Sequence, residues 1–437
     1  MSASSHVNFE QIYRNKIIGM NQALELISSD QRIVAAMAAA EPEGFFTGLG
    51  KRCRDLQNVT VHCANPTKEY DCFTDDSLRG RLELAVMFLT SAVRRHQGRG
   101  LVHYIPQHLS HWVRHLTAEH PIDIFWGSCS PPDSRGFFSL GTNCCYEPET
   151  IRKSRLVILE VNANMPLTYG STNLHINDVH HFLENPHPLP TLPELAPSDI
   201  DHQIGNQVAE LIPDGATLQL GIGGIPNALG QALSSRKDLG IHTEMINDTM
   251  MELFLKGAVT GHRKTIWPGK IVGSFVYGTK NLYDFVHGNP LVELHPSSVI
   301  NDPYRIGRNY KMFSINTAVE IDLTGQVCSE SVGHRELSGV GGASETHIGA
   351  QRSTGGRGII AIPSTTKDGT ASKIVFTLQP GAKVSISRND IDTVVTEYGV
   401  AKLAGRSTAQ RVKAMAAIAH PRFRDELLRQ ARTERYL

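Results

Sequence analysis

The chain has 437 residues, enough for two or three domains with ample core. Its 43 basic and 43 acidic side chains cancel, so composition gives no support to electrostatic capture of nucleic acid or of an anionic membrane. Seven cysteines (Cys53, Cys63, Cys72, Cys129, Cys144, Cys145, Cys328) form an odd set with no Cys-x-x-Cys spacing, which argues for reduced, mostly buried thiols and against a disulfide framework.

The opening residues are polar, with no charged segment followed by an apolar one, and no apolar run reaches bilayer length; a cytoplasmic, soluble protein is expected. After this leader, Met20–Ile27 has helical period and Gln31–Met37 reads as a strand. Glu41-Pro42 interrupts before a helical stretch through Phe45, Leu49 and Cys53, and Asn58–Cys63 is a short strand. Leu82–Arg95 predicts a helix, Leu101–Pro106 a strand, and Ile122–Trp126 and Arg155–Asn162 two more strands. This alternation predicts a mainly parallel sheet flanked by helices.

Pro186, Pro188, Pro190, Pro193 and Pro197 crowd the run from Glu184 to Pro197, which neither a helix nor a central strand can cross. A domain boundary is placed there, giving an N-terminal domain over 1–190 and a C-terminal domain over 191–437. The pattern then restarts with a helix at Ile204–Leu211, a strand at Ala216–Leu220 and a helix at Asn227–Ser234. Strands are expected at Lys270–Tyr277, Met312–Asp322, Gly358–Pro363, Lys373–Leu378, Val384–Ser387 and Thr393–Thr396, and the tail is helical over Thr408–His420 and Phe423–Arg432. The fold class is therefore α/β, two similar open α/β domains with mainly parallel sheets, suggestive of an internal duplication that leaves no clear sequence repeat.

The most informative stretch joins the strand at Ala216–Leu220 to its helix through Gly221, Ile222, Gly223, Gly224 and Ile225, with Pro226 in the first helical turn. Such a junction presents unpaired backbone N–H groups and suits a phosphate or carboxylate, although a glycine cluster can equally be a steric device. Gly221 and Gly223 fit the dinucleotide fingerprint, Pro226 takes the place of its third glycine, and Glu244 lies near the expected ribose-binding acid. A nicotinamide-dependent dehydrogenase is thus a competing reading. His108, His111 and His115 fall at helical spacing without an acidic partner, and His175, His180, His181 and His187 lead into the proline run; a solvated face and ordinary polar contacts are expected of them, and no metal site. A second glycine turn, Gly339-Val-Gly-Gly342, and Lys367 just after a strand complete a set of backbone donors, one lysine and one carboxylate. That set suits a ligand with phosphates at one end and a carbonyl at the other.

Several runs, in order, carry a resemblance: Glu160-Val-Asn-Ala-Asn-Met-Pro, Asp214 through Ala228, His242-Thr-Glu-Met, Ser314-Ile-Asn316, Gln326-Val-Cys-Ser-Glu-Ser, Ser338-Gly-Val-Gly-Gly, Thr393 through Ala401, and Ile418-Ala-His-Pro-Arg-Phe-Arg. Through them the chain resembles the acetyl-CoA hydrolase/transferase family, especially its 4-hydroxybutyrate, butyrate and itaconate CoA-transferases, over nearly its whole length. The resemblance implies an active site between two α/β halves and Glu244 as nucleophile, passing through a mixed anhydride to a glutamyl-CoA thioester. It implies Gly221, Ile222, Gly223, Gly224, Ile225, Asn316, Gly342 and Lys367 as coenzyme A contacts, with the Gly342 N–H facing the oxyanion. Coenzyme A is then a co-substrate with no permanently bound cofactor, the partners are acyl-CoAs and small carboxylic acids, and a homodimer or larger homo-oligomer is implied.

After Gly342 the family commonly continues with glutamine, an apolar residue, aspartate and phenylalanine, whereas this chain has Ala343-Ser-Glu-Thr346-His347. The change points to a polar acyl group such as 4-hydroxybutyrate, itaconate or succinate, with Thr346 or His347 as donors. Thioester hydrolysis is the nearest alternative, because water reaching a glutamyl thioester turns a transferase into a hydrolase.

Overall fold

The structure is a computed structural model and describes residues 8–118, 120–193 and 195–437; the start of the polar leader lies outside them. The chain forms two compact units, each α/β. Unit 1 comprises residues 1–106, 111–192 and 274–297, and unit 2 comprises 107–110, 193–273 and 298–437.

Unit 1 is built on β1 (Arg32–Ala35), β2 (Val59–Cys63), β3 (Leu82–Val86), β4 (Val102–Tyr104), β5 (Ile122–Cys129), β6 (Ser154–Val161) and β7 (His181–Glu184). Their order is β7-β6-β5-β1-β2-β3-β4, and every neighbouring pair is parallel. One expectation is corrected here: Leu82–Arg95 is not a helix but β3 followed by a single helical turn at Ser91–Arg94. Leu82, Leu84, Ala85 and Val86 are buried and Glu83 alone is exposed, so this largely covered strand lacks the sustained alternation that separates a strand from a helix.

Buried carboxylates hold this unit together. The helix α1 (Glu43–Cys53) starts after Pro42, which offers no side-chain cap. Its first N–H groups go instead to the fully buried Glu160 of β6, from Gly44 at 3.0 Å and Phe45 at 2.8 Å, while Trp126 Nε1 and Asn185 Nδ2 donate to the same carboxylate at 3.1 and 2.7 Å. Burial raises its carboxyl above the ordinary range, and these four donors oppose that shift. Glu160→Ala strands four donors, two of them buried, and is expected to lower the unfolding free energy by about 3 to 5 kcal/mol. Denaturant titration checks this; a loss under about 1 kcal/mol would mean that the donors find other partners.

Unit 2 repeats the plan. It contributes β8 (Thr217–Leu220), β9 (Gly240–His242), β10 (Ile271–Gly273), β11 (Met312–Asn316), β12 (Arg357–Ala361), β13 (Thr393–Thr396) and β14 (Gly399–Lys402). These are ordered β14-β13-β12-β11-β8-β9-β10 and are parallel except for the β13–β14 hairpin. In both units the first strand is central, the next strands step outward on one side, and the later strands add to the other side. The duplication suggested by the sequence is therefore present as topology. The long expected strands are interrupted: Lys270–Tyr277 breaks at Ser274, Met312–Asp322 splits into β11 and Glu320–Asp322, and Val384–Ser387 keeps only the bridge from Ile386 to Val327. The helical tail runs Thr408–Ile418 and Pro421–Thr433, and Val412, Met415, Ile418, Leu427 and Ala431 close a core with Ile360, Val394 and Leu403.

Candidate active site

Because β8 is the first strand of unit 2 and its neighbours leave to opposite sides, the loops at the carboxyl ends of β8 and β11 diverge. Open parallel sheets receive ligands at such a switch point. The register sets Leu220 beside Ile315, which brings Gly221 next to Asn316; the Gly221 N–H donates to the Ile315 carbonyl at 3.3 Å.

The glycine loop is shaped by two constraints. Gly223, the N-cap of α2 (Gly224–Ala232), has φ 115° and ψ −172°, a conformation that side chains other than hydrogen rarely adopt. A Cβ on it would meet nothing within 4 Å, so the glycine serves the turn and leaves that side open. Gly224 is different: a Cβ there would collide with Asp201 Oδ2. Asp201 caps its own helix with Ser198, so one flank of the α2 start already carries a carboxylate. The free flank is that of Gly223 and the exposed Ile222. Pro226 occupies the third helical position, where a missing N–H costs nothing.

Glu244 follows β9, the strand beside β8. Two anchors fix the segment around it. His242 is buried, its Nε2 2.9 Å from the Ile300 carbonyl and its Nδ1 3.1 Å from Asn309 Nδ2. The carbonyl can only accept and the amide nitrogen can only donate, so the ring is the neutral Nε2–H tautomer in these two bonds. On the other side Asn247 caps the helix Asp248–Leu255 and its Nδ2 donates to the Gly221 carbonyl at 3.0 Å, while Thr249 Oγ1 reaches Asn227 Oδ1 at 3.0 Å. The glycine loop and Glu244 are thus tied within three residues.

The Glu244 carboxylate meets two donors. Asn301 Nδ2 donates to Oε2 at 2.7 Å, and the backbone N–H of Gly342 lies close enough to favour the charged form of the same carboxylate. Gly342 is the N-cap of α3 (Ala343–Arg352), so the carboxylate faces a helix N-terminus, where negative charge is favoured. Glu244 keeps part of its surface accessible, yet surrounding protein raises its carboxyl above the ordinary range, with the two donors opposing. Asn301 Nδ2 also lies 3.4 Å from Oε2 of a second carboxylate, Glu345, whose Oε1 accepts from Ser110 Oγ.

The other expected site residues separate into two groups. Asn316 and Thr346 join a polar cluster: Ser314 Oγ is 2.7 Å from Gln219 Oε1 and 3.0 Å from Thr346 Oγ1, and Asn316 Nδ2 is 3.0 Å from Ser314 Oγ and 3.3 Å from Thr346 Oγ1. Ser314, Thr346 and Gln219 are buried, so this cluster is a built feature of the switch point. His347 faces elsewhere. It is fully buried, a Cβ on Gly358 of β12 would lie 2.7 Å from its ring, and its Nε2 accepts from the Asp392 N–H at 3.2 Å; desolvation pushes it down to about 4, so the ring is neutral. Lys367 is exposed in the loop after β12, apart from the bonds that join Glu244, Asn301 and Glu345. His108, His111 and His115 are exposed, and His175, His180 and His187 make ordinary bonds to backbone.

Comparison with known proteins decides what this arrangement belongs to. Residues 1–193 match the acetyl-CoA hydrolase/transferase N-terminal domain and residues 278–431 its C-terminal domain. The 4-hydroxybutyrate coenzyme A transferase of Clostridium kluyveri is 41% identical over 97% of this chain and 98% of its own. The chain belongs to the acetyl-CoA hydrolase/transferase family. Another member of this family, the succinyl-CoA:cyclohexane-1-carboxylate CoA transferase of Geobacter metallireducens, is 39% identical over 97% of both chains. The crystal structure of RipA from Yersinia pestis superposes with a TM-score of 0.94 at 33% identity, covering 99% of this chain and 100% of that one. Among the described residues of this acetyl-CoA hydrolase/transferase no group of three or more His, Cys, Asp or Glu is arranged to hold a metal, and no helix is long and apolar enough to cross a membrane.

Three groups of the site escaped the sequence reading. Asn301 lies in Val-Ile-Asn-Asp-Pro, a run that only marks a turn, and nothing local says that its amide meets Glu244. Ser110 sits between histidines at helical spacing, and the chain there makes a 3-10 turn at Leu109–His111 before the short helix Trp112–Leu116. Glu345 stood in view as part of Ala-Ser-Glu-Thr-His, but its carboxylate neighbour is far earlier in the chain.

Proposed function

We infer that the chain is a CoA-transferase acting on short-chain acyl-CoAs, and we propose that it works by a ping-pong reaction through Glu244. The observation that carries this reading is the asymmetric environment of the Glu244 carboxylate. Asn301 Nδ2 donates to Oε2, and a Cβ on Gly342 would collide with the same atom. Oε1 is then the nucleophilic oxygen. It attacks the thioester carbonyl, the C–S bond breaks, CoA leaves as thiolate, and a mixed anhydride forms. The thiolate next attacks Glu244 Cδ, negative charge develops on Oε2, and the Asn301 amide that donates to that oxygen stabilises it, together with the Gly342 N–H at the start of α3. Collapse expels the first acid as carboxylate and leaves a glutamyl-CoA thioester, which an incoming acid reverses. A carboxylate nucleophile suits the task because each intermediate stays an activated acyl group.

The glycine loop, with Gly221, Ile222, Gly223, Gly224 and Ile225, serves as the coenzyme A cradle on its Gly223 flank, with Asn316 beside it. The acyl group is polar, such as 4-hydroxybutyrate, succinate or itaconate. The hydroxyl and amide cluster of Thr346, Ser314, Gln219 and Asn316 supports that class, and His347, committed to Asp392, plays no part in it. An acceptor screen with succinyl-, acetyl- and butyryl-CoA as donors tests both parts. CoA transfer to 4-hydroxybutyrate is expected to exceed transfer to butyrate by about tenfold, the worth of one or two well-made hydrogen bonds. Butyrate outrunning the polar acids would overturn the substrate class. CoA release that does not depend on an added acid would favour the hydrolase.

A further inference from the structure

The second carboxylate of this site is unused by the reaction just described. Glu345 is 4% exposed. Its Oε1 is held by Ser110, which belongs to the four-residue segment 107–110 that joins unit 2. His108 Nδ1, 3.3 Å from Ser344 Oγ, fastens the same segment one residue away on α3. The Oε2 of Glu345 shares with Glu244 the one amide nitrogen of Asn301. Two negative charges converging on one amide repel each other, and a single proton between them removes the conflict. The other end of that amide, Asn301 Oδ1, is buried with no hydrogen-bond partner among the described residues.

We propose that Glu345 is a positioning residue which, by staying uncharged, leaves the Asn301 amide to Glu244 and admits anionic acids to the site. This rests on Glu244 being the nucleophile. Both acids of the exchange enter or leave as carboxylates, so a second fixed negative charge would oppose their approach and the charge developing on Glu244 Oε2. The geometry agrees with the proton's place. Burial pushes the Glu345 carboxyl up to about 7, with the Glu244 charge adding to it and the Ser110 and Asn301 bonds opposing. The charged and titratable groups around it are few. Glu244 shares its amide; His108 is on the segment that brings Ser110; Asp302, next to Asn301, is paired with Arg305 at 3.8 Å; and on α3 itself His347 is neutral in the core and Arg352 stacks on Tyr304 at 4.2 Å.

The test compares the pH dependence of transfer in the wild type, Glu345→Gln and Ser110→Ala, using an acid acceptor that is fully ionised throughout. In the wild type, kcat/KM for the acceptor is expected to fall about tenfold per pH unit above about pH 7, as the neutral form of Glu345 is depleted. Glu345→Gln is a permanently neutral isostere and is expected to lose this limb while keeping activity near the wild-type acid plateau. Ser110→Ala removes a bond that lowers the Glu345 carboxyl, so its limb moves to higher pH. An unchanged limb in Glu345→Gln, or in Ser110→Ala if the first variant fails to fold, would overturn the proposal. Mass spectrometry of the wild type incubated with acyl-CoA separates this from the parent reading: absence of a CoA adduct on Glu244 sinks the nucleophile, whereas an adduct with an unmoved pH limb sinks only the role of Glu345.

Discussion

Glu244→Ala is expected to lower CoA transfer by about a thousandfold or more, because the variant has no group to carry the acyl or CoA moiety between substrates. Glu244→Asp is the sharper experiment. It keeps a carboxylate but withdraws it by one methylene, and a displacement of about 1 Å costs about a hundredfold when geometry sets the rate. The donors on Oε2 are fixed independently, Asn301 by its place next to the Ile300–His242 bond and Gly342 by the start of α3, so neither can follow the shortened side chain. The two variants should also differ in trapping. Borohydride or hydroxylamine added after acyl-CoA should inactivate the wild type and modify the Glu244 peptide, modify the corresponding peptide of the Glu244→Asp variant only weakly, and leave the alanine variant untouched. Active wild-type enzyme with an unmodified Glu244 peptide after such treatment would rule out the covalent route.

The second large effect is expected at Gly342. A Cβ there would overlap both Asn301 Nδ2 and Glu244 Oε2, so the ends of both side chains must swing away from each other to admit it. The backbone itself, at φ −94° and ψ 10°, is open to any residue, so the glycine answers to the close approach and not to the turn. Gly342→Ala keeps its own N–H but parts the Glu244 carboxylate from the Asn301 amide, and should therefore cost transfer about a hundred- to a thousandfold, the worth of one preorganised donor, with a small change in melting temperature. Gly341→Ala reverses the signature. Its φ of +52° makes a side chain strained by about 1 to 2 kcal/mol, and a Cβ would sit 3.5 Å from Glu244 Oε1 in ordinary contact. It should lose stability and keep most of its rate. Measuring kcat and thermal stability for both variants checks the contrast; equal rate losses would mean that the loop acts only through its backbone shape.

What could be read from the chain alone followed from how local each constraint is. The glycine loop was legible because a left-handed N-cap and the first turn of a helix demand particular residue types in consecutive positions, Gly223 and Pro226 among them. Glu244 was legible through the runs around it. The strand β3 reads as a helix because its apolar run, interrupted only by Glu83, resembles that of a buried helix. Thr346 and His347 were proposed together, yet adjacent residues on a helix point about 100° apart, so one meets Ser314 and the other Gly358. Asn301 and Ser110 left no local trace, since each acts on a carboxylate far away in sequence and only the strand order brings them together.

The bond from Asn247 to the Gly221 carbonyl has a mechanical meaning. It makes the glycine loop and Glu244 a single short lever, so whatever seats itself on the loop also sets where the Glu244 oxygen stands. Binding energy gained far from the reacting carbon can then be spent at it.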